Sequence, residues 1–218
     1  MKKDSFNIES KILDRHFIYE PPYFYNNEFA LRCELGIGDS NEEYMDNAKC
    51  RMKNIFDILF KKGVDMIFFN NYIYDYDYDT SDKVCTHINQ IISFERKKLK
   101  FCLEYQKNYA HKIVKCLPIS NDDSEDEDIC RINRICCYPN ENFNAIEALN
   151  KQIDNQENPT IHLVSFVNNC IFTVYDDRGC DIVFYDKNNF IKFYPLLEKY
   201  FLRYDLDLMK QRFNKAIE

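Results

Sequence analysis

The amino-acid sequence predicts an α+β protein: an antiparallel sheet with a C-terminal β-meander and helices packed on one face. Two apolar runs of strand type, at 170–175 and 180–185, flank a short polar turn, and a third run at 161–167 precedes them. A segment with helical spacing follows a polar cap near residue 40. Short strands joined by tight turns are typical of an antiparallel meander, and amphipathic helices then cover one side of it.

The turn of the predicted hairpin has the sequence Tyr175-Asp-Asp-Arg-Gly179. Gly179 is one of only four glycines in the chain, so its position in this turn is informative. Asp176 is placed to accept hydrogen bonds from downstream backbone N–H groups. We expect Gly179 to adopt a left-handed conformation that closes a G1 bulge, where a side chain would clash. The tip would then display four charged residues as candidate partner contacts: Asp176, Asp177, Arg178 and Asp181.

The N-terminal part predicts one long helix and at least one strand. Residues 41–62 follow a polar cap, carry two glutamates in the first turn and place apolar residues at helical spacing. Gly63 is the expected stop signal. Residues 64–74 predict a strand from their aliphatic and aromatic content. Residues 82–104 combine helical and strand signals, and a short strand is expected at 113–114.

The C-terminal part predicts a strand at 129–138 and a helix at 143–156, before the meander. Two helices close the chain, at 188–202 and 205–217. The chain divides into an N-terminal α+β half at 1–120, an acidic loop at 121–128 and a C-terminal half at 129–218. The length suits one compact domain built from both halves.

Several short motifs between residues 170 and 213 occur together. The YDDRG turn is followed by the run Asp181-Ile-Val, then by Tyr194, Tyr200 and the pair Tyr204-Asp205. In this segment, and less closely at 29–36, the chain resembles the bacterial domain-of-unknown-function family 3885. That family tends to have a tryptophan near the position of Phe201, and this chain has none. The resemblance implies a small bacterial cytosolic protein, supplies no activity or catalytic residue, and implies an immunity role because similar proteins lie near polymorphic toxin genes.

The net charge of −7 comes from two acidic segments. Residues 72–82 hold four acids, residues 121–128 hold six, and neither segment contains a base. Charge of this sign argues against nucleic-acid binding and steers a basic protein partner, while tyrosines are enriched at interfaces. The alternative is that both segments are solvated loops. The candidate partner contacts in them are Tyr74, Asp75, Tyr76, Asp77, Tyr78, Asp79, Asp122, Asp123, Glu125 and Asp126.

The sequence contains no nucleophile elbow, P-loop, dinucleotide fingerprint or HExxH helix. His162 lies in an apolar run, and we interpret it as a core residue rather than a catalytic base. A pair of His162 with Cys180 across the meander is the nucleophilic alternative. A zinc site built on Cys85 and His87, with Cys102 or His111 as a further ligand, is the metal alternative. We expect no cofactor and no bound metal.

Neither a signal segment nor a membrane span is apparent. The first ten residues lack the apolar stretch of a secretory signal, and the longest apolar runs are far too short to cross a bilayer. We therefore expect a cytoplasmic protein with no membrane partner. The sequence does not indicate the oligomeric state.

These patterns favour a binding protein over an enzyme. The expected role is that of a bacterial immunity protein, whose acids and tyrosines occlude the basic active site of a toxin. One alternative is a small metal-dependent hydrolase that uses Asp176, Asp177 and Asp181. The other is a structural subunit of a larger assembly.

We predict that the ten cysteines are reduced thiols. None of them forms a CxxC pair, and the adjacent Cys136 and Cys137 suit neither zinc binding nor a relaxed disulfide. Thiol titration of the denatured protein, run without reductant, should therefore find nearly all ten groups reactive. Stoichiometric zinc, or several disulfides, would contradict the cytoplasmic expectation.

Overall fold

A computed structural model gives the fold for most of the chain. It describes residues 8–14, 17–75, 89, 92–93, 96, 112–115, 129–139, 143–154 and 160–218, with the backbone alone at 71–75, 112–115 and 129–133. The predictions for residues 76–79 and 121–128 lie outside the described residues, and so does nearly all of 82–104.

One antiparallel sheet contains strands from both halves of the chain. The strands are β1 (Ala30–Glu34), β2 (Met66–Asp75), β3 (Lys112–Lys115), β4 (Ile129–Cys137), β5 (His162–Ser165), β6 (Cys170–Val174) and β7 (Gly179–Phe184). Their order is β1-β7-β6-β5-β2-β4-β3, and all neighbouring pairs are antiparallel. The predicted α+β class and the meander β5-β6-β7 are thus confirmed.

Five helices have described bounds: α1 (Ile8–Leu13), α2 (Asn41–Leu59), α3 (Ala145–Ile153), α4 (Lys187–Leu197) and α5 (Leu206–Ile217). The described residues 89, 92–93 and 96 are also helical. As predicted, α2 begins after a polar cap, because the Ser40 hydroxyl accepts the N–H of Glu43. It ends at Leu59 rather than at residue 62, and Gly63 then turns the chain with a φ of 89°. Within these described residues, no helix combines the length and apolarity needed to cross a membrane.

The closing helices differ from the prediction at their junction. The first ends at Leu197 rather than at residue 202, and two short 3-10 turns follow, at Glu198–Tyr200 and Arg203–Asp205. Between these turns, Phe201 makes an isolated antiparallel bridge to Cys33 of β1. The break therefore lets the chain run along the outer edge of β1 before α5 begins.

The predicted packing of helices on one face holds for α2 and α3. The ring of Phe60, just after α2, lies 6.1 Å from the ring of Phe172 in β6. Gln152 of α3 donates a hydrogen bond of 2.8 Å to the carbonyl of Val174. These contacts bury the apolar side of the meander, which forms the main core.

The opposite face of the sheet is covered by α1 and by residues 17–28. Arg134 of β4 is buried on that face and donates to the carbonyl of Ile12 in α1 at 3.0 Å. The N–H of Phe24 donates to the carboxylate of Asp181 in β7 at 3.1 Å. Because both faces are covered, β5, β6 and β7 are buried at every residue.

The hairpin turn uses its glycine differently from the prediction. Gly179 begins β7, and its φ lies outside the left-handed region, so the predicted left-handed closure is wrong. A Cβ at this position would stand 2.2 Å from the hydroxyl of Tyr175 and 2.7 Å from the carbonyl oxygen of Cys33. Glycine is required because the Tyr175 ring folds back over it, against the backbone of β1.

We expect Gly179→Ala to lower the free energy of unfolding by about 3 kcal/mol, the upper part of the usual range for overpacking. The new methyl group would overlap a backbone oxygen, which cannot rotate away. Gly63→Ala is the matched control, because its φ is positive but nothing lies within 4 Å of the added Cβ. That variant carries only backbone strain of roughly 1–2 kcal/mol. Urea unfolding of both variants checks this, and wild-type stability for Gly179→Ala would contradict the close approach.

Candidate functional site

The sequence motifs converge on the guanidinium of Arg32 in β1. Arg32 lies directly opposite Asp181 of β7. Its Nε and Nη2 donate to the two carboxylate oxygens of Asp181 at 2.8 and 3.0 Å. Its Nη1 lies 3.5 Å from Oδ2 of Asp205. The early strand, the strand after the YDDRG turn and the Tyr-Asp pair near the C-terminus therefore meet at one cation.

Aromatic rings and further hydrogen bonds enclose these charges. The hydroxyl of Tyr25 donates to Oδ1 of Asp205 at 2.7 Å. Asp181 and Asp205 are only 1% and 4% exposed, so their charges are shielded from water. Three ring centroids lie within about 6 Å of the guanidinium, at cation–π distance, and belong to Phe24, Tyr25 and Tyr175. We call Arg32, Asp181, Asp205 and these three rings the Arg32 cluster.

Burial and pairing act in opposite directions on this ion pair. Burial lowers the pKa of Arg32, but the hydrogen bond and charge of Asp181 more than offset it, and the pKa ends above its ordinary value. Burial raises the pKa of Asp181, and the guanidinium and the N–H of Phe24 offset only part of that rise. Arg32 is therefore permanently charged, and the carboxylate bears the desolvation penalty.

The four charged residues predicted at the hairpin tip separate into two groups. Asp181 is buried in the Arg32 cluster, which corrects its predicted display at the tip. The tip itself consists of residues 176–178. There Oδ1 of Asp176 accepts the N–H of Arg178 at 2.9 Å, which confirms the predicted turn bond, and Oδ2 accepts Nε of Arg178 at 2.7 Å. The strand alternation explains the split, because it directs Asp181 to the face covered by residues 17–28.

A polar row continues from the Arg32 cluster across the sheet. The register aligns Asp181, Thr173 and His162 on adjacent strands. Nδ1 of His162 lies 2.8 Å from the Thr173 hydroxyl. Burial, and then the charge of Arg134, lower the pKa of His162 to about 3, so the ring is neutral at physiological pH. His162 is a core residue, as predicted, and the alternative pair with Cys180 is wrong because Cys180 faces the other side of the sheet.

The remaining predicted contacts have limited structural description. Tyr74 and Asp75 lie in β2 opposite Cys130 and Ile129 of β4, and only their backbone is described. The other candidate contacts in the two acidic segments lie outside the described residues.

An acidic surface borders the hairpin tip. The N–H of Leu35 donates to the carbonyl of Arg178 at 2.9 Å, which joins the tip to the loop before α2. Burial, and then the charges of Asp177 and Asp176, raise the pKa of Tyr44 in the first turn of α2, so the two regions are electrostatic neighbours. We call these five acids the acidic docking surface: Asp39, Glu42, Glu43, Asp176 and Asp177.

Sequence reasoning named Asp181 but missed Arg32 and the ion pair between the two. The available signal was a single arginine within the apolar run 29–33 and a single aspartate within the apolar run 180–184. Lone opposite charges in two buried strands predict a pair, because an unpaired buried charge is strongly destabilising. The participation of Tyr25 and Asp205 had no comparable signal, since both follow from tertiary packing.

The fold and the site define an α+β protein with a seven-stranded antiparallel sheet, a buried ion-pair cluster and an acidic surface beside it. The chain belongs to the family described as "Domain of unknown function (DUF3885)", whose sequence profile matches residues 7–205. The match includes every member of the Arg32 cluster and ends at Asp205. No curated protein and no solved structure matches the chain.

We predict that His162 makes the protein less stable as the pH falls from about 6.5 towards 3. The folded pKa of about 3 lies below the unfolded value of roughly 6.5, so the unfolded chain binds the proton first and stability is lost on acidification. The slope is at most about 1.4 kcal/mol per pH unit. Urea unfolding between pH 7 and 4.5 checks this against His162→Asn, which keeps a hydrogen-bonding group for Thr173 but does not titrate. Equal pH slopes in the two proteins would contradict the prediction.

Proposed function

We propose that the chain is a protein-binding module whose acidic docking surface meets a basic surface of a partner protein. The specific form of the proposal is a bacterial immunity protein that occludes the basic active site of a toxin. The supporting observation is a tip, held by internal hydrogen bonds, that offers the carboxylate of Asp177 next to an acidic helix start.

The tip is held in place by contacts inside the protein. Asp176 binds both the backbone and the side chain of Arg178. The ring of Tyr44 lies against Gly36, where a Cβ would stand 1.9 Å from the ring. Within the described part of the chain, the carboxylate of Asp177 makes no hydrogen bond or ion pair. A preorganised charge of this kind binds a partner with little additional ordering cost.

The acidic docking surface also contains apolar area. Ile37, between Gly36 and Gly38, is 39% exposed and lies in the loop that leads into α2. Interfaces combine charges that steer association with apolar contacts that slow dissociation. The same chemistry disfavours nucleic acid, whose phosphates would be repelled by these acids.

The two alternatives receive less support. A metal-dependent hydrolase would need Asp181 beside Asp176 and Asp177, but Asp181 is paired with Arg32. Among the described residues, no group of three His, Cys, Asp or Glu side chains could hold a metal ion. A structural subunit stays a prediction. We propose a cytoplasmic location, which agrees with the free thiols of the six cysteines whose side chains are described.

Neutralising two acids whose carboxylates make no hydrogen bond or ion pair in the described structure tests the docking surface. We expect the double variant Glu42→Gln, Asp177→Asn to lose proteins that the wild type retains from a lysate of the source organism at low salt. The control is Glu147→Gln, Asp57→Asn, which removes two exposed acids that each pair with a lysine four residues away. With the retained partner purified, the docking variant should associate more slowly than wild type. The difference should shrink as the Debye length falls from about 10 Å at 0.1 M salt to about 3 Å at 1 M.

Equal retention and equal association rates for the docking variant and the control would contradict the proposal. If the partner is a nuclease, addition of the wild-type protein should also block its activity. A partner whose catalysis continues in the complex would contradict the immunity form of the proposal while leaving the docking surface intact.

A further inference from the structure

Tyr204 is the most exposed large hydrophobic residue of the described chain, at 86%, and Tyr25 beside it is 44% exposed. Elsewhere in the described chain most aromatic side chains lie in the core or pack against it. Within the described residues, the Tyr204 ring makes no hydrogen bond and no ring contact. A fully exposed tyrosine leaves a large apolar area in water, and tyrosine is among the commonest hot-spot residues of protein interfaces.

The backbone beneath Tyr204 is tightly held. The residue lies in the short turn Arg203–Asp205, directly before α5. Its neighbour Asp205 is buried, accepts the hydroxyl of Tyr25 at 2.7 Å and lies 3.5 Å from Arg32. An exposed ring on a fixed base loses little conformational freedom on binding, because only the side chain has to be ordered.

The same cluster connects Tyr204 to the acidic tip. The guanidinium of Arg32 lies 4.8 Å from the ring of Tyr25 and 6.0 Å from the ring of Tyr175. Tyr175 is followed directly by Asp176 of the tip, and Tyr25 is bonded to the residue next to Tyr204. The backbone that carries Tyr204 and the acidic tip are therefore both attached to the Arg32 cluster.

We propose that Tyr204 is the anchor residue of the partner interface and inserts into an apolar pocket that borders the basic patch of the partner. The inference rests on the proposed function and specifies the surface that the partner must present. The partly exposed ring of Tyr25 contributes to the same contact. The partner is a protein rather than a nucleic acid, because the acidic docking surface of the proposed function would repel phosphates. The acidic docking surface steers the encounter, and the ring slows dissociation.

Site-specific photocrosslinking tests this inference and identifies the partner in the same experiment. The photoreactive residue p-benzoylphenylalanine replaces Tyr204 in one variant, Asp177 in a second and Tyr138 in a third. Tyr138 is the matched control, because it is a partly exposed tyrosine just after β4, near the other end of the sheet. Each full-length variant is irradiated in cells of the source organism, and the products are identified by mass spectrometry.

We expect positions 204 and 177 to yield a crosslink to the same protein, and position 138 to yield none to it. With the purified variant and the purified partner in vitro, adding Glu42→Gln to the 204 variant should weaken its crosslink at low salt and leave it unchanged at high salt. A product from 177 without one from 204 overturns the anchor role but leaves the proposed function standing. A product from 204 without one from 177 supports the anchor and contradicts the acidic docking surface. Absence of a product from both positions overturns both proposals.

Dissociation kinetics with the crosslinked partner give the quantitative test. We expect Tyr204→Ala to speed dissociation about tenfold or more, which is the usual effect of removing an interface hot spot. Tyr204→Phe, which keeps the ring, should retain most of the affinity, and Tyr138→Ala should match the wild type. Equal dissociation rates for Tyr204→Ala and Tyr138→Ala would overturn the anchor role.

Discussion

Arg32 carries a permanent charge on the inner side of an edge strand, and much of the surrounding structure follows from the need to satisfy it. A partly buried guanidinium without partners would be destabilising. Asp181 on the neighbouring strand binds two of its nitrogens, and Asp205 approaches the third. The pair therefore allows one register of β1 against β7, because a slip of β1 by one residue would turn Arg32 to the opposite face and leave the buried Asp181 unpaired. It also ties the turn before α5 to the sheet.

The need to satisfy polar groups also determines which segment covers the second face of the sheet. A row of polar side chains crosses four strands there, so an apolar helix could not cover it without leaving polar groups unsatisfied. Residues 17–28 can cover this row, because an irregular segment offers both aromatic rings and free backbone groups. The N–H of Phe24 binds Asp181, and the hydroxyl of Tyr19 lies 3.3 Å from that of Thr173. This network makes the polar row specific for one covering segment rather than for any apolar surface.

The sequence predicted the secondary structure well where local signals were strong. The capped start of α2, the meander and the turn bond of Asp176 all follow from residues close together in the chain. It failed for Gly179, since the relevant clash is with Cys33, which lies far away in sequence. It also failed for Asp181, whose burial depends on the pairing with β1. Turn composition alone cannot distinguish a glycine needed for φ from one needed for close approach.

Under the proposed function, the YDDRG motif divides its residues between folding and recognition. Tyr175 and Gly179 pack against β1, and Asp176 holds Arg178, so these residues serve the shape of the turn. Asp177 has no such role in the described structure, and its carboxylate is the one that the proposed function assigns to a partner. A surface built in this way keeps its geometry when the free acid is neutralised, because none of the bonds that hold the tip involve it. Substitutions within this five-residue motif can therefore separate loss of binding from loss of folding. A recognition role can be assigned to a residue of the motif only when the two effects are separated in this way.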